Sequence, residues 1–301
     1  MTKLRAFGTA VAVVLLAAFC FGQGGQQYLD VYIAQVKPEK RADFDALSKK
    51  MVTANRQNKG DNWIAMETVY GPVNRVTFIS TRNSYAETET GSDMFYAASV
   101  KAYGKAATDK MFQEFNECLV SGRSELRVRR WDLSSNPPAD AAAYTKMVGD
   151  ARWLRTVTVH VRNGQAQAFE ALLKDVKEAR EKASPPLTTL VSQAVAGQDG
   201  TVYYVTTLEN TMGGFDTIPS IQTVLGDEGY AKFLKANAEV VERADTAINH
   251  FLPELSNPAQ DVVAEAPDYW TPKPMVAAKA KPKTEGMTDA AEKSKADDKN
   301  K

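Results

Sequence analysis

Residues 28–47, YLDVYIAQVKPEKRADFDAL, decide the fold, because the same pattern returns at residues 153–172 as WLRTVTVHVRNGQAQAFEAL. Val36, Phe44, Asp45, Ala46 and Leu47 align with Val161, Phe169, Glu170, Ala171 and Leu172 at one shift, 169 − 44 = 125. In the first copy, residues 28–36 are rich in β-formers, and Phe44, Leu47 and Met51 then fall on one face of a helix spanning about residues 38–55. A strand followed by a helix, written twice, marks a duplicated unit.

Farther out, Gly71, Val76 and Thr81 match Gly197, Val202 and Thr207 at a shift of 126, and Gly91, Gly104, Leu133 and Ser134 match Gly213, Gly226, Leu255 and Ser256 at 122. Two strands, residues 63–70 and 75–81, flank the turn Gly71-Pro72-Val73-Asn74; residues 188–195 and 201–208 flank Gly197-Gln198-Asp199-Gly200. A helical stripe of Met111, Phe112, Phe115, Cys118 and Leu119 has its counterpart in Tyr230, Phe233, Leu234, Val240, Val241 and Ala244. Residues 126–131 and 248–252 read as closing strands. The order is β-α-β-β-α-β twice, the split βαβ arrangement, whose helices cover one sheet face and leave the other to be covered. The expected fold class is α+β, with two tandem ferredoxin-like βαββαβ units forming an intramolecular pseudo-dimer like a dimeric α/β-barrel. The expected boundaries are a signal peptide over 1–22, units over 23–134 and 151–257, a linker over 135–150 and a disordered tail over 258–301.

The 301 residues include 37 Lys+Arg and 37 Asp+Glu, with 44% hydrophobic residues, so the chain can build real cores and has no net field for nucleic acid or an anionic membrane. Lys3 and Arg5 precede an uncharged apolar run over residues 6–21, which is short for a membrane span and reads as a secretory signal cleaved after Gly22. That predicts an exported protein, periplasmic or extracellular, with no transmembrane anchor once the signal is removed. Cys20 follows Phe19, whereas lipid attachment favours a small residue there. Loss of Cys20 leaves Cys118 as the single thiol, which excludes an internal disulfide. The linker contains SSNPPADAAA at 134–143. The tail holds eight Lys against eight Asp plus Glu, with Tyr269 and Trp270 as candidates for docking on the body.

The chain has no P-loop, dinucleotide glycine motif, nucleophile elbow, H-E-x-x-H or C-x-x-C. Its only histidines are His160 and His250, so no metal site is expected, and no cofactor. Val157, Val159 and Val161 alternate with Thr156, Thr158 and His160, which sends the second set away from the helices and into the barrel. Gln35 takes the place of His160 in the first unit (160 − 125 = 35). Glu67 and Gln193, equivalent at 126, and Tyr203 or Tyr204 complete a candidate barrel-lining site for a small ligand, with a solvent-facing place at a strand end as the alternative for Glu67. A lone histidine among threonines equally suits a hydrogen-bonded structural role. Arg127, Arg129 and Arg130 beside Trp131 offer an anion or stacking site, but alternation spreads them over both faces and favours solvated edge charge. Cys118 on its apolar stripe and His250 near the last strand read as structural.

The two openings and the paired strands after them resemble the dimeric α/β-barrel superfamily, more particularly NIPSNAP-like proteins, over about residues 28–256. Members of that superfamily include cofactor-independent monooxygenases, haem-binding peroxidases and chlorite-dismutase-like enzymes, and none of their haem-ligand motifs is recognised in this chain. The resemblance does not choose a function, and the expected role is a small-molecule binding or scaffold module. The alternatives are a cofactor-independent monooxygenase-like or haem-associated enzyme with His160 as base or axial ligand, and an envelope protein-interaction module whose protein partner the residues do not name.

Overall fold

In the computed structural model, which describes residues 26–183 and 187–271, eight antiparallel strands close into a barrel. They are β1 (Tyr28–Val36), β2 (Ile64–Tyr70), β3 (Arg75–Arg82), β4 (Leu119–Arg129), β5 (Trp153–Val161), β6 (Leu190–Ala196), β7 (Thr201–Glu209) and β8 (Val241–Phe251), bonded in the order β1-β3-β2-β8-β5-β7-β6-β4. Helices α1 (Arg41–Asn58), α2 (Tyr85–Tyr103), α3 (Lys105–Glu117), α5 (Ala166–Lys182) and α6 (Ile221–Val240) lie outside. Helices α4 (Ala141–Asp150), α7 (Gln260–Glu265) and α8 (Pro267–Trp270) gather where β4 and β8 end and β5 begins.

Period-two alternation on β1 and β5 separates core from interior. Ala34 and Val36 pack outward with Phe44, Leu47 and Met51 of α1, while Val159 and Val161 pack with Phe169 and Leu172 of α5. Leu29 and Ile33, and Leu154, Thr156, Thr158 and His160, face the barrel interior.

The paired registers of the two halves correspond closely. Tyr28 stands opposite Val128 on β4, and Trp153 opposite His250 on β8 (250 − 128 = 122); both ladders carry an irregularity at the same place, Gln35/Val36 and His160/Val161. Gly104 and Gly226, also 122 apart, each interrupt a helix at φ of 80° and 67°, values that suit a residue without a Cβ.

The register departs from the sequence match in one place. Ile33 faces Thr77, and Thr158 faces Tyr204, so β7 lies 204 − 77 = 127 residues after β3, although β6 lies 190 − 64 = 126 after β2. The second hairpin therefore holds one more residue, and the Val76/Val202 match sets an outward residue against an inward one. A slip of one residue exchanges the two faces of a strand.

Three boundaries also move. Strands β4 and β8 begin at Leu119 and Val241, so Leu119, Val241 and Ala244 are strand rather than helix. Their first halves are polar and exposed around the open end of the barrel, where no apolar alternation could reveal them. The linker contains α4, whose first turn is capped by the Asp140 carboxylate accepting from the Ala143 N–H at 2.8 Å. Residues 258–271 of the expected tail are ordered, because two aromatic side chains there find partners. Trp270 is fully buried and its Nε1–H donates to Gly149 O at 2.9 Å, and the Tyr269 hydroxyl donates to Phe251 O at 2.9 Å. The signal stretch and the rest of the tail lie outside the described residues. Among the described residues no helix is long and apolar enough to cross a membrane.

Candidate functional site: a cavity inside the barrel

The inner side chains leave a cavity of about 950 Å³ along the barrel. Its floor is apolar: Met66, Leu154 and Phe251 pack with Trp270, and Val262 of α7 adds to them. The other end, where both hairpins turn, carries Pro72, Gln198, His160 and Arg243.

Its most polar wall is the inner face of β4. Alternation aligns Arg123, Glu125, Arg127 and Arg129 on that face. Glu125 is fully buried and accepts from Arg123 Nη2 at 2.6 Å, Arg127 Nη2 at 2.7 Å, the Tyr204 hydroxyl at 2.6 Å and Gln198 Nε2 at 2.8 Å. The Arg127 guanidinium lies 3.5 Å from the Tyr204 ring centroid, a cation–π contact. Burial alone would push the Glu125 carboxyl up, but Arg127, Tyr204 and Arg123 outweigh it and hold the group below its ordinary value. Burial and the neighbouring carboxylate push the Tyr204 phenol up to about 12.

Arg129 is different. It is only 8% exposed, it lines the cavity beside Ser192 of β6, and its Nε has no hydrogen-bond partner among the described residues. Its cation–π neighbour, Trp131, is 5.5 Å away. Arg75 on β3 also lines the cavity with an unpartnered Nε, and burial, then the charge of Arg123, pull its pKa down.

Of the candidate site residues, His160 and Tyr204 line the cavity, and Gln35 lies at the rim with its Nε2 donating to Val73 O at 2.7 Å. The His160 Nε2 is 2.8 Å from Arg243 Nη2; because a guanidinium only donates, Nε2 accepts and the ring proton sits on Nδ1. Glu67, Gln193 and Tyr203 do not join them. Met66, Thr68, Ser192 and Tyr204 face inward, so the intervening parity points these three toward the helices. Glu67 accepts from Arg41 of α1 at 2.9 Å, Gln193 accepts from Arg130 at 2.9 Å, and the Tyr203 hydroxyl donates to Glu170 of α5 at 2.6 Å.

Glu125 is the member of this wall that sequence reasoning missed, and Arg127 and Arg129, weighed as an anion site, were set aside as solvated edge charge. Their spacing of two was the available signal, because it places all three on one strand face. Arg130 does point outward, to Asp132 and Glu170. His250 packs outward on Trp153, with ring centroids 4.5 Å apart. Cys118 is buried, its Sγ lies 3.3 Å from Glu114 O, and burial pushes its thiol pKa up. Among the described residues no group of three or more His, Cys, Asp or Glu could hold a metal ion. Of the cavity side chains that could ligate a haem iron, His160 has its Nε2 engaged by Arg243, and the Tyr204 oxygen is committed to Glu125 and Gln198.

Fold and cavity together define an α+β antiparallel barrel with an internal cavity. Similar solved structures include an anthrone oxidase-like protein (12% identity, 76% of this chain and 92% of that one, TM-score 0.48). A candidate monooxygenase from Lactobacillus acidophilus is similar at 10% identity over 78% and 98% of the two chains, TM-score 0.47. A haem-binding protein from Thermus thermophilus is similar at 14% identity over 77% and 93%, TM-score 0.43. No family model matches the chain. No curated protein matches it.

Proposed function

We propose that this protein is a small-molecule binding module whose ligand occupies the barrel interior. The observation that carries this reading is the cavity of about 950 Å³ inside the barrel, with an apolar patch of Met66, Leu154 and Phe251 backed by Trp270 and a charged wall on β4. Binding is favoured over turnover because the groups suited to moving a proton are engaged. Arg243 donates to the His160 Nε2 and pairs with Asp245 at 2.8 Å, and Glu125 is saturated by cations and hydroxyl. No comparable observation favours a cofactor-independent oxygenase, a haem-associated enzyme or an envelope interaction module.

The same reading makes the chain an exported, tandem pseudo-dimer of ferredoxin-like units, NIPSNAP-like within the dimeric α/β-barrel superfamily. Its support is the shared register of β4 and β8 and the order β4-β1-β3-β2 repeated as β8-β5-β7-β6. Protein recovered outside the cytoplasm should begin near Gln23, which N-terminal sequencing checks; an intact Met1 would refute export.

A native mass spectrum of the full chain, taken after incubation with a small-molecule mixture, tests the binding reading. Added mass should be retained by the wild type and reduced in Thr158→Phe, which projects a ring into the middle of the cavity, with the melting temperature of that variant nearly unchanged. Equal retention by both proteins would place the ligand elsewhere and overturn the reading.

A further inference from the structure

We propose that the ligand of this cavity is a carboxylate with an apolar body, its headgroup taken by Arg129. The proposal rests on the reading of the barrel interior as a binding cavity and says what that cavity selects.

Charge comes first. Six arginines line the cavity, Arg75, Arg82, Arg123, Arg127, Arg129 and Arg243, against Asp61, Asp245 and the adjoining Glu125 and Asp30, a surplus of 6 − 4 = 2. Three of the six are locally matched: Arg82 by Asp61 at 2.6 Å, Arg243 by Asp245 at 2.8 Å, and Arg127 by Glu125 at 2.7 Å. Arg123 also leans on Glu125 and is half in solvent, and Arg75 is partly exposed near the mouth. Only Arg129 is both more than nine-tenths buried and left with an unpartnered Nε among the described residues while lacking a carboxylate partner. A buried guanidinium without a counter-charge is costly, so this position is poised for an anion.

Geometry and surroundings narrow the anion. The planar fork of a guanidinium fits a carboxylate in two parallel hydrogen bonds, and Ser192, paired with Arg129 across β4 and β6, sets a hydroxyl-bearing side chain next to it. One buried unmatched cation suits a single negative charge better than a phosphate dianion. Near Met66, Leu154 and Phe251 the lining is aliphatic, with Ile64, Ile79 and Leu208, and toward the hairpins threonines such as Thr77, Thr156 and Thr158 take over, so a short apolar body is suited to the first part. The orientation is unique. At the position on β8 that corresponds to Arg129 stands Phe251 (251 − 129 = 122).

Calorimetric titration of the full chain with dodecanoate and with dodecanol, each below its micellar concentration, tests this. The acid should bind about tenfold or more tightly than the alcohol, the worth of a charge-assisted contact. Arg129→Gln should erase that preference by weakening dodecanoate alone, and Arg129→Lys should restore part of it. Equal affinity for acid and alcohol in the wild type overturns the carboxylate assignment while leaving the cavity reading intact, and it needs no variant to fold. Unchanged dodecanoate affinity in Arg129→Gln overturns the role of Arg129 likewise. Failure of both probes to bind overturns the inference and the cavity reading together.

Discussion

The barrel closes along two seams, β4 against β6 and β2 against β8, and different physics holds each. At the first, Glu125 gathers Arg123, Arg127, Tyr204 and Gln198 into a buried ionic cluster. At the second, the corresponding positions are Ala247 for Glu125 and Asn249 for Arg127 (247 − 125 = 249 − 127 = 122), and Thr77 replaces Tyr204. There the seam is packed: Met66 and Phe251 lie under Trp270, and one side-chain hydrogen bond, Thr68 to Asn249 at 2.8 Å, crosses it. Shared registers govern where backbones pair, but they leave the inner side chains free to diverge. One seam has become the anchor of the floor, and the other has become a cationic wall.

The largest expected effect breaks the ionic seam. Glu125→Ala leaves Arg127 buried without its carboxylate and should cost about 3–5 kcal/mol by urea denaturation. A cost below about 1 kcal/mol would mean that the cluster is solvated and the seams are alike. On the packed side, Trp270→Ala opens a cavity under the floor and should cost about 3–4 kcal/mol. It should also leave Tyr204 and Glu125 undisturbed, as read by an unchanged acid limb of stability. Asn249→Ala removes the neutral hydrogen bond to Thr68 and a long one, 3.4 Å, to Leu154 O, and should cost about 1–2 kcal/mol.

Acidity separates the seams with a smaller effect. The Glu125 carboxyl is held below its ordinary value of 4.5 in the folded protein, so the unfolded chain binds more protons as pH falls. The stability from Glu125 is therefore fully present above about pH 4.5 and is lost as the pH drops below it. Tyr204 acts at the other end: its pKa rises from 10 to about 12 on folding, so its contribution is present below pH 10 and is lost as the pH climbs toward 12. Unfolding free energy measured against pH should keep its acid slope in Asn249→Ala and flatten in Glu125→Gln. Equal slopes in the two variants would remove Glu125 as the cause.

Much of the fold was legible because hydrophobic burial wrote it into the chain. The strand-to-helix openings, the βαββαβ order and the inward side of His160 all follow from alternation against a covered face. The candidate site was less legible, for two physical reasons. A single extra residue in the second hairpin changes the parity of β7 without disturbing its apolar character, so Tyr203 and Tyr204 could not be told apart by composition. Strand β4 lines a polar cavity, so its inner face carries Arg123, Glu125, Arg127 and Arg129 where a core-facing strand would carry aliphatic residues, and it read as solvated charge. Glu67 and Gln193 were placed inward by equivalence alone; their true side is set by ladder register, which no pairwise match records.

The most direct test of the account is a methyl NMR titration of the full chain with dodecanoate, resolved residue by residue. The account predicts shifts at Leu29, Ile33, Ile79, Leu190 and Leu208, which line the cavity, and none at Val36, Leu47, Leu172 or Val191, which pack beneath the outer helices. Shifts confined to the second set, or spread evenly over both, would contradict it.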